Sequence, residues 1–85
     1  MNDQYSEYLS PEGLNKLKDE LRYLGETRRV EIAAALERAK SFGDLSENAE
    51  YQDAKDAQAA NEVRIAEVEY ILQHAVVVSK HSSDV

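Results

Sequence analysis

Two carboxylates three residues apart, Asp44 and Glu47, form the pattern in this sequence that is best suited to chemistry. They follow Phe42-Gly43 near the midpoint of the chain, where the glycine predicts a turn. Mg²⁺ commonly takes one or two protein carboxylates and completes its coordination with water or phosphate oxygens. A pair at an exposed turn cannot enclose an ion, so any metal bound here would be shared with another macromolecule.

The same spacing also fits a helix-capping role for the two carboxylates. In a capping box, Asp44 would accept from the N–H three residues on, and Glu47 would reach back to the N–H of Asp44. Carboxylates in a first helical turn also complement the helix dipole, and Glu50 and Asp53 extend the acidic cluster. Taken alone, the spacing favours the capping box over a metal pair.

Three basic residues, Arg38, Lys40 and Lys55, lie about one helical turn from the predicted tip on its two sides. One interpretation is a solvated surface with local ion pairs, such as Glu37 with Lys40. The other is a small positive saddle that steers a nucleic-acid phosphate toward the acidic tip.

A long helix is predicted on the N-terminal side of this tip, from about Pro11 to about Ser41. Ser10-Pro11-Glu12 is a strong helix start, because Ser caps, Pro loses no needed N–H at the first position and Glu complements the dipole. The apolar residues recur at spacings of three and four, except that the seam passes through Arg28 with a four-residue insertion. Such a stutter locally unwinds a left-handed coiled coil. The seam comprises Leu14, Leu17, Leu21, Leu24, Arg28, Ile32, Ala35, Leu36, Ala39 and Phe42.

A second helix is predicted after a short turn at Phe42–Asp44, ending near His74. Its seam comprises Tyr51, Ala54, Gln58, Asn61, Ile65, Val68 and Leu72, with Leu45 and Ala49 supporting its start. A short turn makes the two helices antiparallel neighbours. The matching register pairs Leu17 with Leu72, Leu21 with Val68, Leu24 with Ile65 and Ala35 with Ala54. It also places Arg28 opposite Asn61, as a polar layer that specifies register.

The predicted fold class is therefore all-α, a long antiparallel two-helix coiled-coil hairpin over residues 11–74, with arms about 45 Å long at 1.5 Å per residue. Residues 1–10 read as a leader in which Tyr5, Tyr8 and Leu9 could pack on the hairpin base. Residues 75–85 read as a tail that contains the β-prone run Val76–Val78.

Composition narrows the function classes. The 85 residues carry a formal charge of −7, which argues against coating a phosphate backbone unaided. There is no Cys, and His74 and His81 have no ligand partners at useful spacing. The acidic start has no apolar segment of the signal-peptide type, so a cytoplasmic protein without a membrane span is expected.

Several segments resemble the GreA/GreB family of bacterial transcript cleavage factors. The residues that carry the resemblance are the tip Gly43-Asp44-Leu45-Ser46-Glu47-Asn48-Ala49-Glu50-Tyr51, Leu14-x-x-Leu17-x-x-Glu20-Leu21, and Arg64-Ile65-x-x-Val68-Glu69. The resemblance covers roughly residues 9–78. The second arm is less basic than expected for the GreB branch, which favours the GreA branch.

The resemblance implies a mechanism. The hairpin would enter the secondary channel of RNA polymerase, where Asp44 and Glu47 help to hold a second Mg²⁺ and a water at the polymerase's own active site. Backtracked RNA is then cut near its 3′ end. The chain would be a factor rather than an enzyme, a monomer with no cofactor of its own, sharing Mg²⁺ with the polymerase.

The resemblance also assigns supporting roles. Gly43, Asn48 and Tyr51 would support the tip, and Lys40 and Lys55, with Arg38, would contact the extruded RNA. The family carries a C-terminal FKBP-like domain that docks on the polymerase, and only the entry to it, residues 76–78, is expected here.

Three alternatives stay open at this stage. One is an inhibitory relative that binds the same channel, which the intact carboxylate pair disfavours. Another is a purely structural hairpin that dimerises through residues off the main seam: Val30, Val63 and Tyr70. The last is an RNA-binding arm of the tRNA-synthetase type, which fits an acidic chain with few aromatic residues poorly.

Overall fold

A computed structural model describes residues 8–78 of the chain as a helical hairpin. The first arm consists of α1 (Pro11–Arg22), a π-helical segment (Tyr23–Arg28) and α2 (Arg29–Lys40), and the second arm is one helix, α3 (Ala49–His74). A 3₁₀ turn (Leu45–Glu47) lies between the arms, and two short strands, β1 (Tyr8–Leu9) and β2 (Val76–Val77), flank them. The predicted all-α hairpin is confirmed. The predictions for Tyr5, His81 and the remainder of residues 1–7 and 79–85 lie outside the described residues.

The first arm begins as predicted. Ser10 accepts a hydrogen bond at Oγ from the Gly13 N–H at 3.0 Å, Pro11 occupies the first turn and Glu12 adds its charge there. These contacts satisfy an orphan N–H and complement the dipole, so the sequence itself fixes the helix start.

The hydrophobic core is a thin seam between the arms. The buried residues are Ile32, Ala39, Ala54, Asn61, Ile65 and Val68, and all six belong to the predicted seam. The seam prediction for Phe42 is wrong, since Phe42 is 58% exposed, and Leu45, which was predicted to support the start of the second helix, is 38% exposed. The reason is that the first arm ends at Lys40, so these two side chains leave the tip loop rather than a helix facing its partner.

The polar layer of the seam differs from the prediction in its partners. Asn61 is buried as expected, but its Nδ2 donates to the main-chain carbonyl of Leu24 at 3.1 Å. Arg28 pairs instead with Glu31 of its own arm at 3.4 Å.

The predicted stutter takes the form of a π-helical segment. Across Tyr23–Arg28 the backbone widens, and the Arg29 N–H donates to the carbonyl of Leu24, five residues earlier. A π turn takes up extra residues without breaking the helix. The sequence therefore predicted where the heptad pattern of the first arm is interrupted, and the structure accommodates the interruption with a wider, π-helical turn.

Two ion pairs join the arms on either side of the π segment. Arg64 donates to Glu20 from Nε and Nη2 at 2.7 and 2.9 Å. Arg29 donates to Glu62 from Nε and Nη2 at 2.8 and 2.6 Å. These hydrogen bonds lower the pKa of both carboxyl groups and raise the pKa of both guanidinium groups. Bidentate geometry favours one alignment of the arms.

The base of the hairpin is closed by a feature that the sequence did not predict. Strands β1 and β2 pair in parallel, Tyr8 with Val76 and Leu9 with Val77, and the Val78 N–H donates to the Leu9 carbonyl at 2.7 Å. The whole hairpin is thus the crossover between two parallel strands. The molecule is elongated, 64 × 25 × 15 Å along its principal axes. Among residues 8–78, no helix combines the length and apolar character needed to cross a membrane.

Candidate functional site at the hairpin tip

The first arm ends in a tightly closed turn. Ser41 donates from Oγ to the Arg38 carbonyl at 2.6 Å, and the Gly43 N–H reaches the Lys40 carbonyl at 3.3 Å. Gly43 then takes φ = +110°, a conformation that side chains with a Cβ rarely adopt. The chain reverses here because only glycine enters this region without strain.

Asp44 stabilises the loop with one of its two carboxylate oxygens. Its Oδ1 accepts from the Ser46 N–H at 3.0 Å and from the Ser46 hydroxyl at 2.8 Å. This is an Asx-type turn that starts the 3₁₀ segment. Within the described residues, Oδ2 makes no hydrogen bond or ion pair.

Glu47 lies at the end of the 3₁₀ turn with its side chain exposed. Its carboxylate makes no hydrogen bond or ion pair with any residue between 8 and 78, so the capping-box prediction is wrong. Asp44 bonds two residues ahead rather than three, and Glu47 does not reach back. The helix that a capping box would start begins later, at Ala49.

Asn48 joins the loop to both arms. Its Oδ1 accepts from the Tyr51 N–H at 3.0 Å and caps α3, while its Nδ2 donates to the Ala39 carbonyl at 2.7 Å, in the last turn of α2. Tyr51 is half-buried beside it. The preference of Asn for N-caps could have identified the first contact. No local pattern signals the second, because its partner lies nine residues upstream.

The predicted basic residues lie on the last turns of α2 and the first turns of α3. Lys40 forms an ion pair with Glu37 at 3.6 Å, and Lys55 donates to Gln58 Oε1 at 3.3 Å. Arg38 is exposed on α2. The Glu37–Lys40 pair is solvent-exposed, and pairs of this kind contribute about 0–1 kcal/mol. Little free energy would therefore be lost if Lys40 exchanged Glu37 for a phosphate.

The donor set at the tip suits a shared hard cation rather than an enclosed one. Three free carboxylate oxygens, one on Asp44 and two on Glu47, are of the ligand type that Mg²⁺ prefers. Over residues 8–78 no group of three or more acidic, His or Cys side chains is placed to hold a metal ion. The carboxylates of the tip therefore fit a metal ion only if further ligands come from elsewhere.

Comparison with known proteins gives a consistent result. A family model described as "Transcription elongation factor, N-terminal", of the GreA/GreB type, matches residues 7–77. Transcription elongation factor GreA from Shouchella clausii is 44% identical over 84 residues, covering 99% of this chain and 53% of the relative.

Two further relatives of the same name agree. That from Thermoanaerobacter pseudethanolicus is 49% identical over 72 residues, covering 85% of this chain and 46% of its own length. That from Clostridium perfringens strain SM101 is 49% identical over 76 residues, with coverages of 87% and 48%. The chain thus spans about half the length of the curated relatives it matches.

Proposed function

The chain belongs to the GreA/GreB family of transcription elongation factors, and we propose that its hairpin enters the secondary channel of RNA polymerase and stimulates cleavage of backtracked RNA by the polymerase. In this proposal Asp44 and Glu47 are donated to the polymerase active site. The chain supplies ligands and positions them, and the polymerase holds the substrate and performs the reaction.

The observation that carries the proposal is the free carboxylate of Glu47. A capping box would have explained this residue by local structure alone, but Asn48 caps α3 and Glu47 makes no polar contact among the described residues. Both acidic side chains lie at the far end of a slender rod, beyond the buried seam. The charge of Glu47 is therefore available to a partner at no cost in helix capping, and Asp44 keeps Oδ2 free while Oδ1 caps the 3₁₀ turn.

The chemistry follows from the ligand type. Asp44 and Glu47 would hold one Mg²⁺ ion together with ligands from the polymerase, and as one of a pair of ions it would supply the charge that activates the attacking water and stabilises the leaving oxygen. Asp44 presents Oδ2 for this purpose while Oδ1 keeps the loop closed on Ser46. Glu47 offers a second carboxylate one 3₁₀ turn later.

Lys40, Lys55 and Arg38 would bind the RNA phosphates in this arrangement. They lie beside the tip on both arms, and the contacts of Lys40 and Lys55 are exposed pairs within single helices. Contacts to phosphate position a strand without reading its sequence. A net charge of −7 is compatible with this role, because the polymerase and not this chain retains the RNA.

The test is a cleavage assay on a stalled, backtracked elongation complex with Mg²⁺ and the 85-residue chain at high concentration. We expect shortened RNA with the natural sequence and none with Asp44→Asn or Glu47→Gln. The first substitution is well matched, because an amide oxygen keeps both Ser46 contacts while the charge and the free Oδ2 ligand are lost. Glu50→Gln, which removes an exposed carboxylate from the first turn of α3, serves as the control and should leave cleavage intact.

Different outcomes would point elsewhere. Equal loss of cleavage in Glu50→Gln and Glu47→Gln would mean that the total negative charge of the tip, and not the Asp44/Glu47 pair, supports cleavage. Slowed elongation without shortened RNA would indicate an inhibitory relative.

A structural hairpin that dimerises is disfavoured by the position of the exposed valines. Val30 and Val63 are 65% and 60% exposed, and each lies two residues from a buried seam residue, on the outer face of a different arm. Val30 and Val63 therefore share no apolar patch, and Tyr70, the third predicted contact, lies seven residues from Val63 on α3 and is 37% exposed. Sedimentation that showed a stable dimer would reverse this conclusion.

A further inference from the structure

The π segment corrects the rotation of the first arm. Leu24 and Ile32 both belong to the seam and are eight residues apart, and eight residues of ideal α-helix turn through about 80° more than two full turns. The wider π turn takes up that excess, since each turn contains more residues. The segment therefore sets the rotational phase of α2, which leads to the tip, relative to α1.

Asn61 contacts the π segment at the backbone atom where the hydrogen-bonding pattern changes. The Leu24 carbonyl accepts from the Arg29 N–H, the five-residue bond of a π turn, and also from Asn61 Nδ2 at 3.1 Å. Asn61 is 6% exposed and is the one buried polar residue among those described. Leaving a buried donor unpaired costs about 1–3 kcal/mol. The contact thus favours the backbone conformation that presents the Leu24 carbonyl to the second arm.

One turn of the second arm holds both flanks of the π segment. Arg64 pairs with Glu20 before it, and Glu62 pairs with Arg29 immediately after it. Asn61 lies in the same turn and contacts the segment itself. The ion pairs are half-exposed and contribute modestly, so the buried amide is the contact most specific to the π geometry.

From these contacts we infer that Asn61 is a positioning residue. It holds Tyr23–Arg28 in the π form and thereby fixes the rotation at which α2 presents Asp44 and Glu47. The structural half of this inference stands by itself, and the half that concerns delivery of the carboxylates rests on the proposed function. This role goes beyond register specification, which would concern only how far the arms slide along each other.

The experiment replaces Asn61 with Leu in the full chain, with Ile65→Leu as the matched control. Ile65→Leu changes the seam one turn away at nearly constant volume and removes no hydrogen bond. Couplings across hydrogen bonds, measured by NMR, report whether the Leu24 carbonyl is bonded to the N–H of Arg29 or, as in an α-helix, to that of Arg28. Asn61→Ala serves as a second variant in case Leu does not fit, since Ala already occupies this seam at Ala54.

We expect the bond to move from Arg29 to Arg28 in both Asn61 variants and to stay in the control. Cleavage should fall at least about tenfold, because a misplacement of about 1 Å at a reacting centre already costs about 10²-fold. Both Asn61 variants should keep the helical content of the natural sequence in circular dichroism, since exchange of a π turn for an α turn breaks no helix. This combination separates positioning from simple loss of structure.

Retention of the Arg29 bond in both variants would overturn the inference, whatever the cleavage result. A shifted bond with full cleavage would overturn the delivery half alone. Absence of cleavage with the natural sequence would refute the proposed function, and the NMR result would still decide whether Asn61 holds the π segment.

Discussion

Asn48 offers a sharp test of how the tip is held, because its hydrogen bond to Ala39 can be removed while its cap on Tyr51 is kept. Asn48→Ala removes both the cap on Tyr51 and the link to the Ala39 carbonyl. Asn48→Ser keeps a capping oxygen but is too short for the link. Asn48→Asp keeps the cap and replaces the donor with a second acceptor that faces the Ala39 carbonyl.

The expected magnitudes follow from the two contacts. Loss of an N-cap costs about 0.5–2 kcal/mol, and loss of one hydrogen bond costs about 0.5–1.5 kcal/mol. Asn48→Ala should therefore lower the free energy of unfolding by about 1–3.5 kcal/mol. Asn48→Ser should lose about 1 kcal/mol. Asn48→Asp should lose a similar amount, with the repulsion at Ala39 partly offset by about 0.3–1 kcal/mol from its charge at the helix N-terminus.

The assay pairs urea unfolding with RNA cleavage for each variant. If the Ala39 link positions the carboxylates, cleavage should fall in all three variants, although their stabilities differ. The cleavage rate of the variants would then depend on the hydrogen bond to Ala39 and not on their free energy of unfolding. Cleavage by Asn48→Ser at the level of the natural sequence, with stability lowered by about 1 kcal/mol, would refute the positioning role and leave Asn48 as a cap.

Three further predictions concern stability. Ile65→Ala should cost about 2–5 kcal/mol because the side chain is buried in the seam, whereas Val63→Ala on the exposed face should change the unfolding free energy by less than about 0.5 kcal/mol in the same urea titration. Gly43→Ala should lower it by about 1–2 kcal/mol, since φ = +110° is strained for any Cβ even though no atom lies in its way; an unchanged midpoint would mean that the loop relaxes. Arg64 lowers the pKa of Glu20 below its ordinary 4.5, so this pair stabilises the fold above pH 4.5 and the contribution is lost as the pH falls through the lowered value. Solvent screening keeps the effect small, and thermal unfolding at descending pH should show a shallower decline for Glu20→Gln.

Sequence periodicity predicted most of this fold because the arms depend on a repeating physical requirement. Each buried residue occupies a three-four seam position, and the helix start at Ser10 and Pro11 follows from local capping. The π segment shows the limit of this reasoning. The spacing from Leu24 to Ile32 reveals a mismatch in phase but not how the backbone resolves it.

Contacts between distant residues explain what the sequence did not predict. Asp-x-x-Glu fits a capping box locally, yet it is Asn48 that caps α3. Its amide also donates to the Ala39 carbonyl on the other arm, a contact that no local pattern predicts. Phe42 continues the seam by spacing, but Ser41 bonds the Arg38 carbonyl and helps to end the helix before it. The parallel strands were missed because two-residue segments carry almost no periodic signal and their pairing joins opposite ends of the chain.

The pairing of β1 with β2 has a consequence for how the molecule opens. Helical hairpins usually fray from their open end, but here the strands fasten the base and Asn48 fastens the tip. Opening from the base then requires the strand pair to break first, and the contacts of Arg29 with Glu62 and of Arg64 with Glu20 resist opening at mid-length. The first turn of α1 and the last turn of α3 should accordingly exchange their amide hydrogens about as slowly as the middle of the arms, and not faster, as they would in a hairpin with an open base.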